Sequence, residues 1–287
     1  MTHSLRYAVN CSLLFTELPL LDRPAAAKAA GFDAVEFWWP WPLQPVPPDA
    51  EVRSFVDAVR NAGVTLVGLN FFAGDLTGAD AGVLSIPSRS QEFRDNVDVT
   101  VGIGAELQVG AFNALYGNRV DAVPAERQDE LAVENLALAA QAAGRIGAQV
   151  LVEAVSGPKP YPLRTAADAL AVIDRVSADG GPENLSFLCD LFHLATNGDD
   201  LDRVISACTS RIGHVQIADA PGRNEPGTGS LDLEGLLQRL QSNGYAGWVG
   251  LEYKPTGASA DSFAWLPPDR RRAISTTSTD HTEKSTP

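Results

Sequence analysis

The sequence predicts an α/β protein: a single parallel (β/α)8 barrel, a TIM barrel, over residues 1–272, followed by a disordered polar tail over 273–287. Three observations carry this. Short β-rich runs alternate with longer Ala-rich helical stretches eight times in about 270 residues, close to the ~250 residues typical of such a barrel. No linker-like shift of composition divides the two halves. An open doubly wound sheet fits the rhythm less well, because no GxGxxG-type turn follows the first strand.

In chain order, "LRYAVN" (5–10) is the first strand, and Pro24 and Gly31 mark the start and stop of the helix after it. "DAVEFWW" (33–39) precedes a Pro-rich loop and the helix "DAEVRSFVDAVRNAG". "VTLVGLN" (64–70) leads through a long loop into "EFRDNVDVTVGIGAEL". "AFNAL" (111–115) is a weaker strand, followed by "PAERQDELAVENLALAAQAAGRIG". "AQVLVEAV" (148–155) is paired with "TAADALAVIDRVSADGG", and "NLSFLCDL" (184–191) with "DDLDRVISACTS". "IGHVQIAD" (212–219) is followed by "DLEGLLQRLQSNG", and "GWVGLEY" (247–253) by a last helical stretch near 259–272. The Ser/Thr-rich run after Ala273 has too little apolar content to pack. His281 within it and His3 near the start read as incidental.

Composition narrows the function. An apolar content of 45% with 20% charged residues is that of a soluble globular protein able to bury a large core. No run approaches the ~18–20 apolar residues that span a bilayer, and the first twenty residues lack the pattern of a signal peptide. A net charge of −14 repels phosphate backbones, so neither nucleic acid nor a membrane is expected as partner. Cys11, Cys189 and Cys208 form no CxxC pair and no even framework, which suits reduced thiols in a cytoplasm. The oligomeric state is left open; a homo-oligomer is compatible with the sequence.

The anomaly lies in the strands. Barrel strands are usually near-continuous apolar runs, yet Glu36, Asn70, Glu153, Asp190, Gln216 and Glu252 close the second, third, fifth, sixth, seventh and eighth. A lone ionised carboxylate at such a depth costs several kcal/mol unless paired or metal-bound. Chemistry in this fold sits at the C-terminal strand ends. By period-2 parity, Leu151 and Glu153 share a face, as do Ser186, Leu188 and Asp190; Ile212, His214 and Gln216; and Trp248, Gly250 and Glu252. If Glu153 points into the mouth, Asp190, Gln216 and Glu252 can converge on it. That all-oxygen set suits Mg2+ or Mn2+, and the absence of Cys from it argues against structural zinc.

At these residues the chain resembles the hydroxypyruvate isomerase family of xylose-isomerase-like barrels, up to about Leu266. The resemblance rests on "VEFWWP", "NFFAGDL", "IPSRSQEFR", "DLFH" and, most specifically, "GHVQIADAPGRNEPGTG" and "GWVGLEYKP". It implies that Glu153, Asp190, Gln216 and Glu252 hold one divalent metal and that Glu153 and Glu252 double as an acid/base pair. It further implies His193 and Arg223 as substrate contacts, Arg223 facing the carboxylate of a small hydroxy or oxo acid. His214, two residues before Gln216, with Glu36, Asn70 and Lys254, is grouped on the substrate-binding side. Trp38, Trp39 and Phe71 are candidate pocket walls. After the metal-binding Glu many relatives carry Pro and Asn; here the run is "EAVSGPKPYPL", which puts a different pocket shape at the fifth loop.

The implied reaction interconverts hydroxypyruvate and tartronate semialdehyde through an enediolate. Three rivals remain. A 2-oxo-tetronate isomerase or ketose 3-epimerase would keep all four ligands. A metal-dependent nuclease on the same fold would need a His-rich multi-zinc centre, which four histidines and a charge of −14 disfavour. A non-enzymatic sugar-acid-binding protein would have no need of both acid/base carboxylates.

Overall fold

The computed structural model describes residues 3–272. The tail over 273–287, with His281, lies outside the described residues. Eight parallel strands close into a barrel in sequence order: β1 (Arg6–Asn10), β2 (Ala34–Phe37), β3 (Thr65–Asn70), β4 (Ala111–Asn113), β5 (Gln149–Glu153), β6 (Leu185–Asp190), β7 (Ile212–Ile217) and β8 (Trp248–Leu251). Around them lie α1 (Arg23–Ala29), α2 (Asp49–Ala62), α3 (Ser90–Leu107), α4 (Ala125–Gly144), α5 (Ala166–Ser177), α6 (Leu191–Asn197), α7 (Leu201–Cys208), α8 (Leu233–Ser242) and α9 (Pro268–Arg271). None of the described helices is long and apolar enough to cross a membrane.

Local chemistry sets the helix ends. α2 buries Phe55, Val56 and Val59 on one face and stops at Gly63, whose φ of 65° is left-handed. α5 begins with a capping box in which the Thr165 hydroxyl accepts from the Asp168 N–H while the Asp168 carboxylate accepts from the Thr165 N–H. Two differences from the sequence reading appear after the strands. α6 was not foreseen: it spans seven residues, too few to show a helical period, and is nucleated by Asp190, whose Oδ1 accepts from the His193 N–H at 3.0 Å. The expected last helix near 259–272 reduces to a 3-10 turn at Asp261–Phe263 and the single turn of α9, because Pro267 and Pro268 interrupt it.

Alternate residues of each strand divide between two cores. Tyr7, Val9, Val35, Leu66, Phe112, Val150 and Val249 face the helices in the large outer cluster. Ala8, Ala34 and Val67 pack with Trp248 inside the barrel, and Ala111, Leu151 and Leu188 form a second interior cluster. The parity expectation fails at one residue. The pairing of β6 with β7 runs Phe187↔Ile212 and then Leu188↔His214, so Gly213 is the extra residue of a bulge. Ile212 therefore packs in the outer cluster, while His214 and Gln216 face inward. His3 is not incidental: it is buried, with Nε2 at 3.1 Å from the Tyr7 hydroxyl.

Candidate active site

At the C-terminal end of the barrel the strand-end residues Glu36, Asn70, Glu153, Asp190, Gln216 and Glu252 are all buried. Asp190 and Gln216 are direct partners in the β6–β7 ladder, and the Glu252 N–H bonds the Ile217 carbonyl beside them. One ligand atom each from Glu153, Asp190 and His193 lies within 4.8 Å of the others. The oxygens here are short of donors. Asp190 Oδ2 and Gln216 Oε1 are buried and accept no hydrogen bond. Glu153 accepts one from Asn113 Nδ2 at 2.8 Å, on Oε2. Glu252 accepts one from the Trp38 indole at 2.6 Å, and its Oε2 lies 3.1 Å from Arg223 Nη2.

That shortage shows in the protonation equilibria. Burial, reinforced by Asp190, pushes the Glu153 carboxyl up to about 8. Burial also drives Glu252 well above the carboxylate range, although Arg223 pulls the other way. Arg223 is itself raised: burial works against its charge, but Glu252, Asp190 and Glu153 outweigh that. Like-charged carboxylates with so few donors form a cradle that a divalent cation would relieve. Partnerless oxygens on two adjoining strands fit an oxygen-only ligand set of Glu153, Asp190, Gln216 and Glu252.

His193 stands apart from that set. The Ser156 N–H donates to its Nδ1 at 3.0 Å, so the neutral ring carries its proton on Nε2. Burial lowers its basicity to about 4, which keeps the ring neutral near pH 7. Nε2 lies 3.8 Å from both Glu153 Oε1 and Asp190 Oδ2, where it can donate to an oxygen seated between them. A metal would need a lone pair on that nitrogen, and Ser156 has claimed the other one.

The side chains thought to contact substrate separate into three places. Asn70, His193 and Arg223 line a cavity of about 160 Å3 together with Trp38, Glu153 and Glu252. That is well below the ~300–1,000 Å3 of pockets for drug-sized ligands, so it suits a small substrate. Lys254 is exposed in an outer cleft of about 810 Å3, which shares Trp38, Leu76 and Arg223 with the inner cavity. Glu36 and His214 sit deeper, behind Gln216, with His214 Nε2 2.6 Å from Glu36 Oε2. Of the suggested aromatic walls only Trp38 lines the cavity. Trp39 packs on Trp41 at 5.1 Å, and Phe71 on Phe93 and Phe112, in the outer core.

Arg223 reaches the cavity because the loop after β7 is tied down. Asp219 accepts from the N–H groups of Ala220, Gly227 and Leu231 at 2.8–3.0 Å. Burial would raise the Asp219 carboxyl, but these backbone donors hold it below its ordinary value. The Lys254 N–H bonds the Arg223 carbonyl at 2.8 Å, and Arg223 adopts a left-handed φ of 61°. Its guanidinium lies 5.5 Å from the Phe192 ring centre.

Four contributors escaped the sequence reading: Asn113, Ser156, Asp80 and Lys159. Asn113 closes β4 and was visible as a polar strand end. Lys159 lies in the unusual "SGPKP" run and lines the inner cavity. Its Nζ donates to the Asp80 carbonyl, and it forms no ion pair among the described residues. The Asp80 carboxylate, also on the cavity wall, is engaged by Arg89 at 2.8 Å.

Comparison with known proteins agrees with the fold. Residues 24–268 match the family model described as xylose isomerase-like TIM barrel. A provisionally named hydroxypyruvate isomerase of Streptomyces coelicolor is 57% identical over 272 residues, covering 93% of this chain and 98% of that protein. The hydroxypyruvate isomerase of Escherichia coli is 32% identical over 268 residues, covering 93% and 100%. A 2-oxo-tetronate isomerase of Haemophilus influenzae is 29% identical over 263 residues, covering 91% and 98%. Among solved structures, one from Brucella melitensis titled as an AP endonuclease of family 2 superposes with a TM-score of 0.82 at 32% identity, covering 92% of this chain and 98% of that one.

Proposed function

From the premise that the chain belongs to the hydroxypyruvate isomerase family of xylose isomerase-like TIM barrels and is an isomerase, we propose that it interconverts hydroxypyruvate and tartronate semialdehyde. The observation that carries this is the pair of buried, donor-poor carboxylates, Glu153 and Glu252, in one small cavity with Arg223 and Lys159. Glu153, Asp190, Gln216 and Glu252 would hold a Mg2+ or Mn2+ ion, which supplies Lewis-acid polarisation of the adjacent carbonyl and hydroxyl oxygens. The remaining work belongs to side chains of this chain. One of the two Glu carboxylates removes the proton from C3 of hydroxypyruvate, leaving an enediolate. The other delivers a proton to C2, while a proton passes from the C3 oxygen to the C2 oxygen.

Substrate placement follows from the free donors. The Nε2–H of His193 offers one hydrogen bond between Glu153 and Asp190. Arg223 is already bound to Glu252 through Nη2, so it stabilises the acid/base pair as well as facing the substrate. Lys159 supplies the cavity's second cation, so the substrate carboxylate lies between Lys159 and Arg223. Trp38 and Asn70 complete the wall, and Lys254 contributes field from the outer cleft.

The relative from Haemophilus supports a second substrate, a four-carbon 2-oxo acid, for the same chemistry. Nuclease activity finds less support. Among the described residues only His193 of the three histidines reaches the cavity, since His214 is bound to Glu36 and His3 to Tyr7. The three free cysteines suit a cytoplasmic setting. The test is an assay with Mn2+ in D2O against three- and four-carbon 2-oxo acids, neutral ketoses and an abasic-site duplex. Deuterium incorporation and carbonyl migration confined to the acids are expected; strand cleavage, or turnover of neutral ketoses alone, would discard the reading.

A further inference from the structure

Below the strand-end carboxylates, Glu36 lies in the barrel interior in a setting the strands are shaped to accommodate. Its Oε1 accepts from Asn10 Nδ2 at 3.0 Å and from Gln216 Nε2 at 2.7 Å, and its Oε2 meets His214 Nε2 at 2.6 Å. Register shifts fall beside it in both β2–β3 and β6–β7. Gly250 leaves the space it fills, for a Cβ there would stand 2.5–2.7 Å from the Glu36 carboxyl atoms. The polarity of this network runs one way. The Ser12 N–H donates to Asn10 Oδ1 at 3.0 Å, which turns the Asn10 amide nitrogen toward Glu36. A carboxylate offers only lone pairs, so the Gln216 amide must also present its NH2 group to Glu36. Its Oε1 is thereby turned away from Glu36, and it is buried without a partner beside Asp190.

We propose that Glu36 is a positioning residue that locks the orientation of the Gln216 amide, so that the oxygen rather than the nitrogen faces the divalent-metal site. The inference rests on reading that site as a metal centre. A glutamine is a ligand only through its oxygen, and a flipped amide would aim two N–H groups at the cation. Without Glu36 the two orientations differ little; with it, only the ligating one satisfies the buried carboxylate. The expected role explains why so polar a group lies beneath the cavity and takes no part in lining it.

Mn2+ binding, followed by calorimetry and electron paramagnetic resonance on the metal-free chain, tests the lock independently of turnover. Glu36→Met removes the acceptor altogether, so both orientations of the Gln216 amide become available and the Mn2+ dissociation constant should rise by roughly 10-fold or more. In Glu36→Met/Gln216→Glu the new carboxylate has no wrong orientation, because it presents an oxygen to the site whichever way it turns. That pair should recover most of the lost affinity. Glu36→Met binding as tightly as the unaltered chain, or a double variant no better than the single, overturns the proposal. Should Glu36→Met fail to fold, the unaltered chain supplies a second readout by NMR. The Gln216 side-chain NH2 protons should stay protected with and without Mg2+ while its carbonyl carbon shifts; loss of that protection on adding Mg2+ contradicts the lock. An unaltered chain that binds no Mn2+ overturns the lock and the metal reading together, whereas failure on the acid panel with Mn2+ still bound removes only the assigned substrate.

Discussion

Within one barrel, Glu36 and the carboxylates of Glu153, Asp190 and Glu252 are buried at neighbouring levels of the strands, yet their surroundings are opposite. Glu36 receives donors from Asn10, Gln216 and His214 within 3.0 Å. The level above has too few: Glu153 has one side-chain donor, Asp190 leaves Oδ2 unbonded, and Glu252 shares one indole and one guanidinium. Burying a carboxylate costs several kcal/mol after relaxation, and hydrogen bonds can offset that. Only at the lower level do protein donors meet both carboxylate oxygens. The difference teaches that polarity inside a barrel is not itself the mark of a site; an unmet demand for positive charge is.

The largest effect should come from disarming the upper level. Glu153→Gln and Glu252→Gln each remove a proton carrier, and turnover is expected to fall by about 10²–10⁴-fold with the fold retained. Single-turnover rates and circular dichroism check both halves; a variant keeping full activity would break the assignment of roles. A smaller effect is expected at the cavity wall. Lys159→Met removes a charge-assisted contact, worth about 1.5–3 kcal/mol. It should raise KM for a 2-oxo acid by roughly 10–100-fold and leave a neutral ketose unaffected. Equal losses on both substrates would show that Lys159 merely shapes the loop.

The smallest effect concerns pH. Glu153 ordinarily titrates near 4.5 and in the folded chain near 8. The folded state therefore holds a proton that the unfolded chain loses between those values. Stability from this group is complete below about 4.5 and declines as pH rises to about 8. His193 acts in the opposite sense: lowered from 6.5 to about 4, it contributes above 6.5 and is lost as pH falls toward 4. Thermal unfolding of metal-free protein should show a midpoint that drops a few degrees between pH 6.5 and 8, and less steeply in Glu153→Gln. An equal slope in both would mean that the upper level is better satisfied than its hydrogen bonds suggest.

How much of this was legible in the sequence depends on distance along the chain. Each of the eight strands lies inside the run expected for it, because alternating apolar residues and strand-end polar groups are local signals. Of the cavity residues, Glu153, Asn70 and Glu252 were legible for the same reason, whereas His193 and Arg223 came only from the family resemblance. The pleat rule misplaced Ile212, since a bulge is set by pairing with a neighbouring strand and not by the run itself. Ser156 orients His193 across 37 residues and Asn113 reaches Glu153 across 40, so neither partner could be read from spacing. The depth of Glu36 was also hidden. Its level follows from closure of the barrel, with Gly250 on β8 opening the space that β2 fills.

The account stands or falls on whether the upper level is a cation site. The most direct measurement is calorimetric titration of Mn2+ into metal-free protein near pH 7, in buffers of different ionisation enthalpy. A single saturable ion per chain is expected, and its binding should release protons, because Glu153 with a carboxyl near 8 and Glu252 above the carboxylate range must give them up. Asp190→Asn should abolish that binding. Absence of saturable binding, or tight binding unaltered in Asp190→Asn, would contradict the account.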